Sequence, residues 1–311
     1  MIIVQLSGGL GNQMFQYATG RALAARHGTQ LVLDSSWIAG SVGGSVTTEV
    51  RRYELGCFEL DAPLAQVEDV ARLRRTVVPS RRPVLQELVE PQFGQPCPEL
   101  AQAGDNTYLR GYWQNVDYFG DAETVVRQDF TFRPAIADED AELARQIRES
   151  AEPAVSVHVR RSDYVSDPGV RERMGTLEPE YYSRALDALG SGVGSVRQFV
   201  FTDDPDWCAK HLRLSEQDVV VGATRAEGDR WASIMHLMTL CDHHVLANSS
   251  FSWWGAWLSS NAAKIVFAPR PWLQDARWDE SGRIPADWVR IDRRVHQADQ
   301  PPSTMTFAPV T

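Results

Sequence analysis

What the sequence has little of excludes several classes of protein. Only four cysteines are present and none form a C-x-x-C pair, so neither a disulfide framework nor a zinc site is expected. Lys and Arg total 31 against 41 Asp and Glu, and the formal net charge of -10 argues against a nucleic-acid-binding protein. There is no run of about 18 apolar residues, so no membrane span is expected. These absences predict a cytoplasmic protein with reduced thiols, with peripheral association at the inner face of the membrane left open.

The first residues also lack the motifs of a leader or of a common nucleotide site. Met1–Leu6 has no basic region before its apolar run, so a strand is expected rather than a signal peptide. The loop Gly8-Gly-Leu-Gly11 resembles a dinucleotide motif, but Met14 stands where G-x-G-x-x-G requires its last glycine. No G-K-[S/T] follows, which excludes a P-loop. The loop does present Asn12 and Gln13 at a predicted helix start, and their amides suit sugar hydroxyls.

Strands and helices alternate along the chain. A strand, a glycine loop, a helix and a second strand open the first half, and the strand–helix rhythm resumes from about residue 154. This alternation predicts an α/β fold with mostly parallel sheets. A charged amphipathic helix over 137–150, followed by Pro153, predicts a boundary between one domain over residues 1–150 and another over residues 151–311.

Three predicted strand ends in the second half carry polar clusters. They are His158-Val-Arg-Arg-Ser-Asp163, then Thr202-Asp-Asp204, then Asn248-Ser-Ser250. In an open parallel sheet these ends lie on one edge, which is where ligands bind. Arginine forks suit phosphate oxygens, and a helix amino terminus with serine hydroxyls is also an anion site. The sequence therefore predicts a site for a pyrophosphate-bearing substrate.

Simpler interpretations of the same residues stay open. Arg160 and Asp163 would form an ordinary surface ion pair if they were exposed, and Ser249 would serve only as a helix cap. Asp204-Pro-Asp206 has the D-x-D pattern of a metal site, but it is also an ordinary helix start. No metal is expected here.

Beyond these local patterns, the chain resembles the bacterial α-1,2-fucosyltransferases of glycosyltransferase family 11. Four ordered segments carry the resemblance: Gly8-Gly-Leu-Gly-Asn-Gln-Met-Phe-Gln-Tyr-Ala18, His158-Val-Arg-Arg-Ser-Asp-Tyr164, Phe201-Thr-Asp-Asp204 and Ala247-Asn-Ser-Ser-Phe-Ser-Trp-Trp-Gly-Ala-Trp257. Ser162 departs from the pattern, since glycine is common at that position.

The resemblance implies a GT-B fold of two facing Rossmann-like domains, with the amino-terminal domain on the acceptor side. It implies an inverting, metal-independent enzyme that needs no cofactor and transfers fucose from GDP-fucose to O2 of a terminal galactose of a glycan. Arg160 would bind the β-phosphate, and His158 with Asp203 or Asp204 would contact guanosine. The full set of expected donor-binding residues is Gly9, Asn12, Gln13, His158, Arg160, Arg161, Asp203, Asp204, Ser249 and Ser250.

Fewer residues are predicted for the acceptor and for proton transfer. Trp113 and Gln114 are expected near the acceptor, with further contacts in the divergent 35–105 region. Asp163 and Asp167 are the candidates for a general base that assists the acceptor hydroxyl. Asp163 is alternatively a residue that orients Arg160 or Arg161. Two other functions stay open, a transferase for a different nucleotide sugar and a non-catalytic sugar-nucleotide or glycan-binding protein.

Overall fold

A computed structural model describes residues 1–40, 51–65, 70, 86–91, 95–133, 138–222, 230–275 and 282–293. The chain divides into two compact units. Unit 1 is Met1–Pro134 with Arg277–Pro285, and unit 2 is Ala135–Ala276 with Ala286–Thr311. This division differs from the expected break after residue 150, because the helix before Pro153 packs in unit 2. Within the described residues, no helix combines the length and apolar character needed to cross a membrane.

Unit 1 contains a four-stranded sheet in which every pair of neighbouring strands is parallel. Its strands are β1 (Ile2–Gln5), β2 (Leu31–Asp34), β3 (Gln86–Val89) and β4 (Thr107–Arg110), in the spatial order β2-β1-β4-β3. Its helices are α1 (Leu10–His27), α2 (Ser36–Gly40) and α3 (Glu123–Asp129), with short 3-10 turns at Leu55–Cys57, Pro98–Gln102, Val116–Tyr118 and Gly120–Ala122.

Helix α1 is buried on nearly all sides, since every residue from Gln13 to Gly20 is buried. Met14, Phe15 and Tyr17 are almost fully buried. The helix ends at Gly28, whose left-handed conformation lets its N–H bond to carbonyls of the last turn. It begins at Leu10, two residues before the predicted start, so the glycine loop is shorter than expected.

Unit 2 contains a six-stranded parallel sheet with the order β10-β9-β8-β5-β6-β7. Its strands are β5 (Ala154–Val159), β6 (Arg197–Thr202), β7 (Val219–Gly222), β8 (His243–Val245), β9 (Val266–Arg270) and β10 (Val289–Asp292). Its helices are α4 (Asp138–Arg148), α5 (Ser162–Ser166), α6 (Pro168–Met174), α7 (Pro179–Val193), α8 (Pro205–His211), α9 (Arg230–Leu240) and α10 (Ser250–Leu258).

The core of unit 2 lies on both faces of this sheet. Val155 and Val157 of β5 pack on one face with Tyr181 of α7. On the other face, Phe199 of β6 packs in a second cluster with Ile234 of α9. All six residues of β5 are buried as a result, which is typical of a central parallel strand.

The α/β class and the two Rossmann-like units with parallel sheets are confirmed. Two strands, β3 and β10, were not predicted. Strand β3 (Gln-Glu-Leu-Val) carries little apolar pattern because it lies at a sheet edge. In β10, Val289 and Ile291 alternate with Arg290 and Asp292, and both apolar residues pack against the core. That alternation was the available signal.

Candidate functional site

The three polar strand ends of unit 2 meet at one edge of its sheet. Strands β8, β5 and β6 are neighbours, so the segments that follow them are brought together. Arg160 follows β5 directly, and its Nη1 lies 2.7 Å from Oδ2 of Asp203, which follows β6. Tyr164 of α5 donates its hydroxyl to the backbone carbonyl of Asn248, which follows β8. The edge predicted from the sequence is therefore one connected cluster.

Arg160 is held by two carboxylates. In addition to the bond to Asp203, its Nη2 donates to Oδ1 of Asp163 at 2.6 Å. The three side chains are 15%, 16% and 6% exposed, so this is not the exposed surface pair that the sequence left open. The guanidinium carbon also lies 5.7 Å from the centre of the Tyr164 ring. A guanidinium fixed in this way is oriented before any ligand arrives.

Asp203 is the centre of the hydrogen bonds in this cluster. Its Oδ1 accepts the backbone N–H of Arg161 at 2.8 Å. Its Oδ2 accepts from Arg160 and from both the backbone N–H and the hydroxyl of Ser162, the latter at 2.6 Å. Asp203 therefore closes the turn after β5, and this arrangement favours a positioning role over the predicted contact with guanosine. The hydroxyl of Ser162 explains why a side chain is useful where glycine was expected.

Asp204 has a capping role. Its Oδ1 accepts the backbone N–H of Trp207 at 3.1 Å and so caps α8, and its Oδ2 accepts from Nε of Arg161 at 3.1 Å. The helix-start interpretation of Asp204-Pro-Asp206 is the one that this geometry supports. Among the described residues, no group of three or more His, Cys, Asp or Glu side chains is arranged to hold a metal ion.

His158 is the last but one residue of β5 and lies under this cluster. It is 6% exposed, and its ring centre is 5.8 Å from that of Phe251 in α10. Burial lowers the pKa of His158 to about 4. The Asp203 charge opposes this shift, and the Arg160 charge adds to it. Its Nδ1 is buried and has no hydrogen-bond partner in the described part of the chain. The ring is therefore neutral, and its Nδ1 is inside the protein rather than open to a ligand.

Ser249 and Ser250 lie at the start of α10, as predicted. The Ser249 hydroxyl accepts the backbone N–H of Phe251 at 3.3 Å, so Ser249 is the helix cap. Asn248, just before them, donates its side-chain amide to the carbonyl of Met174 at 2.7 Å. This anchoring holds the start of α10 beside the Arg160 cluster.

The two candidate bases are both engaged. Asp163 is paired with Arg160, which supports its alternative role of orienting that arginine. Asp167 caps α6, because its Oδ1 accepts the N–H groups of Gly169 and Val170 at 2.8 and 3.1 Å. The structure thus gives Asp167 a local structural role.

In unit 1 the predicted site residues are largely used within the unit. Gln13 is fully buried, donates to the carbonyls of Gly8 and Arg52 and accepts the N–H of Glu54. Its amide is therefore structural, in contrast to the predicted contact with the donor. Glu54 in turn accepts the N–H of Leu10 at 2.6 Å, which places a carboxylate of the protein itself at the amino terminus of α1.

The residues predicted near the acceptor lie just after β4. Trp113 is fully buried, has a left-handed backbone with φ of 57° and packs edge-on against Tyr118. A side chain without exposed surface belongs to the core, so its predicted acceptor contact is not supported. Gln114 is 5% exposed and donates to Oδ1 of Asn12 at 2.8 Å, while Gly9 precedes α1.

Sequence reasoning gave no role to Tyr164 and Trp207 in this cluster, or to Glu54 in unit 1. Ser162 and Asn248 lie in predicted polar segments but were not named as site residues. The predicted helix start at Asp204 accounts for the bond from the backbone N–H of Trp207, but it gave no signal for the contact of the Trp207 ring with Arg161. The others form contacts between segments far apart in sequence, for which no local signal exists.

A two-unit α/β fold with paired arginines at a sheet edge fits a protein that binds a phosphate-bearing ligand. The model of the family described as Glycosyl transferase family 11 matches residues 96–292. The chain belongs to this family of glycosyltransferases.

The chain is similar to several individual proteins. The chain is 31% identical over 309 residues to an alpha-1,2-colitosyltransferase of Escherichia coli, with 94% of this chain and 99% of the relative covered. It is 28% identical to the O-antigen biosynthesis glycosyltransferase WbnK of Escherichia coli, with 86% and 93% covered. It is 26% identical to a galactoside 2-alpha-L-fucosyltransferase, SEC1, of Bos taurus, with 95% and 75% covered. The fucosyltransferase NodZ from Bradyrhizobium matches in structure at 17% identity and a TM-score of 0.49, with 82% and 92% covered.

Proposed function

We propose that the protein is a galactoside α-1,2-L-fucosyltransferase that moves fucose from GDP-β-L-fucose to O2 of a terminal galactose with inversion. The observation that carries this proposal is the fixed arginine pair at the end of β5. Arg160 is oriented by Asp163 and Asp203, and the backbone of Arg161 is bonded to Asp203. The two guanidinium groups lie at the same sheet edge as the start of α10. The names of the relatives support a 6-deoxyhexose as the transferred sugar.

The reaction is a single in-line displacement at the anomeric carbon. The acceptor oxygen attacks from the face opposite the β-phosphate, forms the α-glycosidic bond and gives its proton to water. The bond between the anomeric carbon and the phosphate oxygen breaks, and negative charge grows on GDP. Arg160 and Arg161 stabilise that charge with directed N–H donors, which is where an enzyme gains the most rate.

The neutral His158 ring and the start of α10 complete the donor site in this proposal. His158 lies in β5, two residues before Arg160, and Ser249 and Ser250 lie at the helix start that suits phosphate oxygens. Asp163 orients Arg160 and is thereby occupied, so no residue is assigned as the base that takes the acceptor proton. No metal and no cofactor takes part.

A second donor is favoured by one specific observation, the 31% identity to a colitosyltransferase. Colitose is fucose without its 3-hydroxyl group. A site that hydrogen-bonds this hydroxyl rejects the deoxy sugar strongly, whereas a site that leaves it in solvent accepts both. The two donors therefore test how the sugar ring is held.

The experiment is a transfer assay with purified full-length protein. GDP-fucose, a colitose nucleotide, GDP-mannose and UDP-galactose are each offered with lactose, N-acetyllactosamine and Gal-β1,3-GalNAc as acceptors. Turnover of GDP-fucose to an α-1,2-linked product, identified by NMR, is the expected result, and it persists in EDTA. Turnover only of another nucleotide sugar, or of none, contradicts the proposal. Loss of activity in EDTA that Mn²⁺ or Mg²⁺ restores contradicts the metal-independent mechanism.

A further inference from the structure

We infer that Trp207 is a positioning residue that orients Arg161 toward a diphosphate. The guanidinium carbon of Arg161 lies 4.2 Å from the centre of the Trp207 ring. Its Nε donates to Asp204 at 3.1 Å. The inference rests on the proposed function, in which the edge of unit 2 binds a nucleotide diphosphate.

Arg160 and Arg161 are held in different ways. Each terminal nitrogen of Arg160 donates to a carboxylate, Nη1 to Asp203 and Nη2 to Asp163. Arg161 uses its backbone N–H and its Nε, and within the described residues its Nη1 and Nη2 have no hydrogen-bond partner. The Arg161 side chain is 16% exposed and its terminal nitrogens are not fully buried, so these donors are open to an acceptor supplied by a ligand. Oxygens of a phosphate group are the acceptors that such a fork matches.

Trp207 supplies the surface that keeps this fork in place. A guanidinium stacks on an aromatic face with electrostatic attraction and without using any of its N–H donors. The indole leaves the Nη edge of Arg161 available for a ligand, whereas a second carboxylate would occupy that edge. The contact therefore fixes the direction of the side chain and preserves its binding capacity.

The start of α8 fixes both partners at once. Asp204 accepts the N–H of Trp207 with one oxygen and Nε of Arg161 with the other. The indole also stacks with the ring of His211, at 5.0 Å and 21° between planes, and lies edge-on to Tyr182 at 6.5 Å. Trp207 is thus anchored within unit 2 independently of Arg161, as a positioning residue must be.

GDP binding to the full-length protein, measured by calorimetry, tests the inference. Arg161→Ala is expected to weaken GDP binding by about 10- to 100-fold, the range for hydrogen bonds to charged groups. Trp207→Ala is expected to weaken it by about fivefold, within the range of a partly buried cation–π contact, and to raise the donor KM more than it lowers kcat. Trp207→Phe retains an aromatic face and restores affinity to within about twofold.

The decisive comparison is the double variant. If Trp207 acts through Arg161, then Trp207→Ala adds no further loss of GDP affinity in the Arg161→Ala background. An equal loss in both backgrounds overturns the inference, because Trp207 would then support the site in some other way. Lys210→Ala, an exposed change on the same helix, is the matched control.

Two further outcomes separate this inference from the proposed function. If Arg161→Ala leaves GDP binding unchanged, the diphosphate role of Arg161 fails, and with it that part of the proposed function. If Arg161→Ala weakens binding and Trp207→Ala does not, only the role of Trp207 fails. Trp207→Leu keeps an apolar side chain in case the alanine variant does not fold; the inference requires that it bind GDP less tightly than Trp207→Phe.

Discussion

The two units have the same kind of parallel sheet, yet their carboxyl edges are used in opposite ways. In unit 1 the turn between β1 and α1 is closed by the protein itself, since Glu54 accepts the N–H of Leu10 and Gln13 bonds three backbone groups. In unit 2 the equivalent edge assembles Arg160 and Arg161. A glycine-rich turn before a helix is therefore not sufficient for an anion site, because a carboxylate of the chain already fills the position.

The positive and negative side chains at the edge of unit 2 nearly balance each other. The guanidinium groups of Arg160 and Arg161 are bonded to three carboxylates, those of Asp163, Asp203 and Asp204. The cluster is thus not a positive patch, in keeping with the net charge of -10 for the whole chain. Attraction of an anion must come from oriented N–H donors at short range rather than from the field of the protein.

The largest expected effect follows from removing the fixed arginine of unit 2. Arg160→Ala is expected to lower kcat by about 10²–10³-fold, because it removes a donor directed at developing charge. The same change leaves Asp203 without its charge partner, so Arg160→Lys is needed as a second variant. Lysine keeps the charge but loses the fork, and a smaller loss with normal unfolding temperature is expected.

Arg145 provides the matched control for this change. It also pairs with two carboxylates, Glu142 and Glu149, but its side chain is 56% exposed. Exposed pairs contribute little, so Arg145→Ala should leave kcat unchanged. Equal activity of the Arg160 and Arg145 variants would remove the distinction between the two edges on which the proposed function depends.

The second effect concerns the carboxylate that organises the edge. Asp203→Asn keeps the shape but loses the charge and one acceptor, and GDP affinity is expected to fall about 10- to 100-fold. The variant is also expected to unfold at lower temperature, because a largely buried ion pair is broken. Asp187→Asn, which disrupts an exposed pair with Arg213, is the control in calorimetry and in thermal unfolding. Unchanged GDP affinity in Asp203→Asn would mean that the turn after β5 does not need this anchor.

The two sheets and the polar edge of unit 2 could be predicted from the sequence, but the hydrogen bonds that distinguish the two edges could not. Alternation of strands and helices predicted both sheets, and three polar strand ends predicted the edge of unit 2. What the sequence did not reveal is which polar groups satisfy each other. Gln13 was predicted at the ligand but is buried, because its partners Arg52 and Glu54 come from a distant segment. Trp113 was also predicted there but is buried and packs against Tyr118. Periodicity locates a sheet edge, but long-range hydrogen bonds decide which side chains remain available there.

A third expected effect concerns polar groups buried in the sheet of unit 2. His244 of β8 is fully buried beside Ser156 of β5, and neither of its ring nitrogens has a hydrogen-bond partner in the described residues. Burial, helped by Lys264 and His243, lowers the pKa of His244 from 6.5 to about 3. The folded state therefore keeps this ring neutral, while the unfolded state takes up a proton below pH 6.5.

The contribution of the neutral His244 ring to the free energy of unfolding decreases as the pH falls. It is fully present above pH 6.5 and is lost as the pH falls toward 3, at about 1.4 kcal/mol per pH unit. His244→Phe removes this pH dependence. The free energy of unfolding of the variant, relative to that of the wild type, should therefore be about 2 kcal/mol higher at pH 5 than at pH 7. Urea unfolding at both pH values measures it, with a substitution at exposed His211 as control. An unchanged pH slope would show that His244 is protonated or hydrated in the folded state.

The smallest expected effect comes from the edge of unit 1. Glu54→Gln keeps an oxygen that accepts the N–H of Leu10 but removes the negative charge from the start of α1. A charge at this position is worth about 0.3–1 kcal/mol, so the free energy of unfolding should fall by that amount. GDP affinity and kcat/KM should stay within about twofold of the wild type, because the nucleotide is proposed to bind unit 2. If Glu54→Gln instead changed GDP affinity as much as Asp203→Asn does, the start of α1 would be part of the nucleotide site. The bond between Glu54 and the N–H of Leu10 would then have to break during binding. The difference between the two edges would describe one state of the enzyme and not a permanent difference in what each unit binds.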